Sequence, residues 1–211
     1  VAAWLLVLSA CAVLNAGSAT ANPGTKAVAP ADDTQLNVSF TVHGKAVLAK
    51  LGSAVVLNEG RFDALIDLTT GAVTDGKLTL PPTRGTFLAF GFMPVNATTS
   101  FTQQGSATGT FNNGIADVTL DITLGISDTT VNGTPLAAGA ACDTAQPVAV
   151  RLTGPLSLVG SSDFTSPFTI PDFRGCGTTE NLNRLFDGLV AGPGNVLDTV
   201  LTLRCSGPSC T

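Results

Sequence analysis

The chain has 211 residues, 44% hydrophobic and only 12% charged, with a formal net charge of −5. That hydrophobic share excludes an intrinsically disordered chain, which couples high charge to few apolar residues. The ten Lys and Arg are scattered singly, which excludes a nucleic-acid binder, since phosphate recognition needs clustered positive charge.

The first 21 residues read as a secretory signal. Ala2 to Leu14 is an apolar run shorter than a bilayer-spanning helix requires. It is followed by a small, polar stretch ending Ala19-Thr20-Ala21, of the small-x-small kind that signal peptidase accepts. A rival reading takes Leu8-Ser9-Ala10-Cys11 as a lipobox with Cys11 lipidated. Against it, Ala12, Val13 and Leu14 continue the apolar run. Both readings place the protein outside the cytoplasm, secreted or attached to the cell surface. No later stretch is long and apolar enough for a transmembrane helix. Asn22 to Thr34 carries Pro23, Gly24 and Pro30 with no hydrophobic period, and reads as a flexible leader.

From Leu36 the pattern alternates with period two and is broken by turn residues. Leu36, Val38, Phe40 and Val42 share one strand face, and Phe62, Ala64, Ile66 and Leu68 share another, with Asp63 and Asp67 opposite. Thr69-Thr70-Gly71 turns the chain into a return strand, Ala72 to Leu80, in which Asp75-Gly76 marks a bulge or a second turn. Thr86 to Phe92 is more apolar than alternating, and predicts a strand buried on both faces or lining an apolar cavity. Val95 to Gln103 follows, then the Asn112-Asn113-Gly114 turn and the cleanest strand, Ile115 to Leu124. Asn132-Gly133 marks another reversal. Pro147 to Leu152, Leu156 to Val159, Phe164 to Ile170 and Val196 to Leu203 supply further strands. Leu182, Leu185, Phe186 and Leu189 recur at helical spacing after Thr178-Thr179-Glu180, a capping composition. No composition shift marks an internal boundary. The expectation is a single all-β domain over 35–211, an antiparallel β-sandwich or β-barrel of about ten strands with one short C-terminal helix.

Cys142, Cys176, Cys205 and Cys210 follow the signal, an even number that in an exported chain predicts two disulfides with three pairings open. Ser206-Gly207-Pro208-Ser209 is a turn that lets its flanking cysteines meet, which favours Cys142–Cys176 with Cys205–Cys210. Zinc is disfavoured because no His lies near them and no C-x-x-C occurs.

His43 is the single histidine, and a solvated side chain is its default role. General-base catalysis would need a nucleophile or acid within reach. Asp63/Asp67 and Asp117/Asp121 are carboxylate pairs that glycoside chemistry or calcium would use. Four residues along a strand span about 13 Å, too far to share an ion, so they read as solvated faces. Trp4 is the only Trp and the chain has no Tyr; removing the signal therefore removes the flat amphipathic rings on which sugars stack. Phe87, Phe90, Phe92 and Phe101 are candidates to line an apolar ligand cavity. Asn37, Asn96 and Asn132 head glycosylation sequons, discounted because the composition looks like that of a GC-rich bacterium.

The stretches Leu78-Thr79-Leu80-Pro81-Pro82-Thr83, Gly91-Phe92-Met93-Pro94-Val95 and Phe168-Thr169-Ile170-Pro171-Asp172-Phe173 with Cys176-Gly177, then Gly192-Pro193-Gly194-Asn195, resemble a group of secreted actinobacterial proteins of unknown function. The resemblance covers about Leu36 to Leu203 and brings no catalytic residue. It implies export, an all-β fold and a Cys142–Cys176 bridge, with Cys205 and Cys210 outside the shared pattern. The function expected is non-enzymatic, without cofactor or metal: a surface-interaction or structural protein touching cell-wall polymer or envelope lipid. The alternatives are a carrier of an apolar ligand such as an envelope lipid, and a hydrolase using His43.

Overall fold

The first strand, β1 (Gln35–Leu48), is flanked by the last, β13 (Gly192–Ser206), and by β3 (Gly60–Asp67). This computed structural model describes residues 34–210. The expected signal over 1–21, Cys11 and the leader before Thr34 lie outside the described residues. From β3 the chain meanders through β4 (Ala72–Thr79), β6 (Met93–Asn112), β7 (Ile115–Val131) and β10 (Val148–Pro155), each antiparallel to the one before. β11 (Ser161–Ile170) then pairs with β13. One ladder therefore runs β10-β7-β6-β4-β3-β1-β13-β11. Its two ends are consecutive in the chain, and Ser166 Oγ of β11 donates to the Arg151 carbonyl of β10 at 2.7 Å. The sheet is curled until its ends lie side by side.

The curl has a local cause. Register shifts interrupt the ladders at Ser39/Phe40, Asp63/Leu65, Val73/Gly76 and Gln104/Thr108. Such bulges bend a strand and sharpen its right-handed twist. The Asp75-Gly76 signal is one of them, with Asp75 at φ 52°. At Gly109 a Cβ would run into the Asp117 carbonyl, so only glycine lets β6 and β7 close there.

Short strands extend one end of the curled sheet. β2 (Ser53–Val56) pairs with the end of β1, and β5 (Thr83–Ala89) pairs with the start of β6. β8 (Thr134–Pro135) and β9 (Asp143–Thr144) pair with β7, and β12 (Phe173–Arg174) pairs with β9. The all-β, antiparallel architecture matches the period-two alternation, with thirteen strands among the described residues where about ten were expected.

Inward residues form two clusters. The first gathers Val38, Phe40, Phe62, Ile66, Leu120 and Phe164 inside the curl. The second, around Ile126, Cys142, Ile170, Phe173, Cys176 and Phe186, holds the one helix of the described residues, α1 (Asn183–Leu189), against the sheet. Both expected disulfides are present, Cys142–Cys176 and Cys205–Cys210. Asn195, 2% exposed, ties three segments: its Oδ1 accepts from the Ala49 amide at 3.0 Å and its Nδ2 donates to the Gly192 and Phe168 carbonyls.

Three local expectations are corrected. Leu156 to Val159 is a loop and not a strand: Leu156 donates its N–H to the Gly114 carbonyl, and Val159 is 95% exposed. Thr178-Thr179-Glu180 does not cap α1, whose N-cap is Leu182 with no side-chain hydrogen bond. The Asn183 side chain instead accepts the Cys176 amide at 2.9 Å, so the disulfide-tethered loop sets where the helix starts. Thr86 to Phe92 is not a doubly buried strand: β5 ends at Ala89, and the chain then turns in solvent.

Candidate functional site

Alternation sends every second side chain into the curl, where close packing is the norm and voids larger than a water molecule are few. The interior here is not filled. A cavity of about 130 Å³ lies in it, bounded by β1, β3, β4, β6, β7, β10, β11 and β13. Its deep wall comprises buried Val42, Phe62, Leu120, Ile122, Val148 and Val150. Its lining grades to half-buried Leu48, Val55, Leu57 and Leu80 beside β2. A second cavity of about 30 Å³ sits deeper, with Phe62, Leu152 and Leu201 lining both.

Among the described residues, Thr99 and Thr199 are the only polar ones lining the larger cavity. Thr199 is 5% exposed, and its Oγ1 has no hydrogen-bond partner among the described residues. A buried hydroxyl left unpaired costs about 1–3 kcal/mol. This chamber is therefore apolar with one unmet hydrogen-bonding group in its wall. Thr199 escaped the sequence reading, yet a signal was there: it holds an inward position of β13 between Leu197 and Leu201.

The four candidate phenylalanines occupy three environments. Phe101 lines the cavity. Phe87 packs against the second core cluster instead. Phe90 and Phe92 do not line it: they are 67% and 75% exposed on the turn joining β5 to β6. Local apolar density does not distinguish a turn from a buried strand, and the Phe92 N–H to Ala89 carbonyl bond at 3.3 Å closes this one outside the curl.

Outward polar groups form pairs rather than a site. His43 projects from β1 with its Nε2 3.6 Å from Glu59 Oε2, both side chains more than half exposed. A side-chain contact so open to solvent contributes little. Asp63 accepts from Arg61 Nε at 2.7 Å, and Asp117 accepts from Arg151 and Thr153. Hydrogen bonding from Arg151 holds the Asp117 carboxyl below the usual carboxylate range. Asp121 is exposed. No cluster of three or more His, Cys, Asp or Glu suited to a metal occurs among the described residues.

Asp67 caps the β3–β4 turn by accepting the Thr70 and Thr69 amides, each at 2.8 Å, and these bonds lower its pKa from the ordinary 3.8. A depressed folded-state pKa contributes stability that is present above the unfolded value and lost as pH falls through the folded one. Thermal midpoints of the protein and of Asp67→Ala should therefore differ at neutral pH and converge as pH falls from the ordinary aspartate value through the lowered one. A gap that widens in acid would refute the assignment.

No protein-family model, curated protein or solved structure matches this chain.

Proposed function

We propose that this protein is a non-enzymatic, exported binder of small apolar ligands, or of the end of an acyl chain, held inside the curled sheet. The observation that carries the proposal is the apolar cavity with the unpaired Thr199 hydroxyl in its wall. Its volume sets the ligand's size. An apolar cavity of about 150 Å³ stays dry and accepts a benzene-sized molecule, whereas pockets for drug-sized ligands run to about 300–1,000 Å³. About 130 Å³ therefore suits roughly six carbons and not a whole lipid. Thr199 selects a ligand carrying a hydroxyl or carbonyl over a pure hydrocarbon.

Two disulfides favour an oxidising compartment. No helix among the described residues is long and apolar enough to cross a membrane. The disulfides support export, in line with the signal expected over 1–21. A hydrolase built on His43 draws no comparable support, because its pairing with Glu59 stands in solvent.

Titration calorimetry with n-alkanols of increasing length tests the reading. Affinity should rise about fourfold per methylene, the equivalent of about 0.8 kcal/mol of buried CH₂, and stop rising near six carbons. Val150→Phe, which fills the cavity, should abolish binding while the protein stays folded. Thr199→Val should weaken the alcohols roughly three- to tenfold without changing affinity for the matched alkanes. The reading fails if no alkanol binds saturably, or if Val150→Phe binds as well as the parent.

A further inference from the structure

The exposed tip of the β5–β6 hairpin carries a preference that the fold does not explain. Its turn, Ala89-Phe90-Gly91-Phe92, has both central residues left-handed, at φ 54° for Phe90 and 77° for Gly91. Two other reversals of this chain also place two successive residues at positive φ, at Asn113-Gly114 with φ 52° and 78° and at Asn132-Gly133 with φ 48° and 81°. Asn-Gly is what such a turn favours, because asparagine tolerates positive φ and a bulky aromatic does not. Phe90 is therefore strained, and its ring gains nothing from the core, since it is 67% exposed. Phe92 beside it is 75% exposed and Leu88 48%. Strain that the fold does not need points to a use outside it.

We infer that this tip inserts into a lipid bilayer surface. Two observations select lipid over a protein partner. From Gly85 to Ala116 the sequence contains no Asp, Glu, Lys, Arg or His, so the hairpin brings no charge into an apolar phase. Three polar side chains behind the tip are paired with one another: Thr86 Oγ1 donates to Asn96 Oδ1, and Asn96 Nδ2 donates to Thr130 Oγ1. They offer a protein partner few unmet groups, while paired polar groups are what a lipid phase requires. The hairpin also lies at the cavity's rim, since a Cβ on Gly85 of β5 would touch cavity-lining Val55 at 3.4 Å. The insertion does not require the cavity to be occupied.

Sedimentation of the exported protein, freed of its expected signal over 1–21, with phosphatidylcholine vesicles tests the inference. The protein should partition onto them, and adding phosphatidylglycerol should not strengthen binding, because the chain's net charge is −5. Phe90→Ser with Phe92→Ser should lower partitioning about a hundredfold, as two aromatic side chains are lost from the apolar phase. Phe90→Asn should raise the thermal midpoint while weakening vesicle binding, a combination that simple misfolding cannot produce. Val150→Phe should bind vesicles like the parent, which separates this inference from the cavity reading. Absence of partitioning by the parent protein, or unchanged partitioning of the double variant, would overturn it. So would tip-dependent self-association without vesicles, which would assign the patch to a second copy of the chain.

Discussion

Phe40→Ala should destabilise the protein by about 3–5 kcal/mol, the usual cost of truncating a buried aromatic. Phe40 is 1% exposed in the middle of β1, opposite Phe62 on β3 and Leu203 on β13. It belongs to the first core cluster and lines the smaller cavity. The void left by the ring would join that cavity, and the surrounding ladders leave little room for collapse, because β1 is hydrogen-bonded on both sides. A loss at the upper end of the range follows. Measured against a total stability of about 5–15 kcal/mol, it brings the variant close to unfolding at ambient temperature. Phe92→Ala is the matched control, removing the same ring from an exposed site, and should stay within about 0.5 kcal/mol of the parent. Urea unfolding of both variants checks the pair. Equal midpoints would mean that Phe40 is not a core residue, and would remove the curled-sheet interior on which the cavity depends.

Loss of the Cys142–Cys176 bridge should cost nearly twice as much as loss of Cys205–Cys210. The first spans 34 residues and the second 5. The loop-entropy model then gives about 3.8 kcal/mol against about 2 kcal/mol. The larger bridge has a structural consequence as well. Cys142 and Cys176 are buried in the second cluster, and the Cys142 carbonyl accepts the Ile126 amide of β7 at 2.8 Å. Removing the bridge frees the segment containing β12 and α1 from the sheet, including Phe173 and Val190, which line the cavity. Cys142→Ser with Cys176→Ser should therefore lose alkanol affinity and stability together, whereas Cys205→Ser with Cys210→Ser should lose only stability. Guanidinium unfolding and calorimetry on the two double variants separate these outcomes. If the short-loop variant proves the less stable, loop closure is not the governing effect.

The strands that face one way were legible because their signal is local. Val118, Leu120 and Ile122 alternate with Thr119 and Asp121, and the structure buries the first set and exposes the second. Asn112-Asn113-Gly114 and Asn132-Gly133 were legible as turns for the same reason, since positive φ is a property of one or two residues. Thr86 to Phe92 was not. Its apolar density is equally consistent with a buried strand and an exposed turn, and its environment depends on β6 and on where the curl ends. Nor did Thr178-Thr179-Glu180 reveal that α1 begins later, because the start is set by a hydrogen bond that the amide of disulfide-held Cys176 donates to the Asn183 side chain.

By itself, then, the sequence determined the all-β class, the main turns and the cysteines available for bridging, all of which follow from chain periodicity and residue chemistry over a few neighbours. Only the tertiary structure decided that β1 meets β13, that the ladder's ends β10 and β11 lie together, and that Thr199 faces an unfilled interior. Those features depend on register between strands more than a hundred residues apart and on how much volume their inward side chains leave empty. No local pattern encodes either quantity.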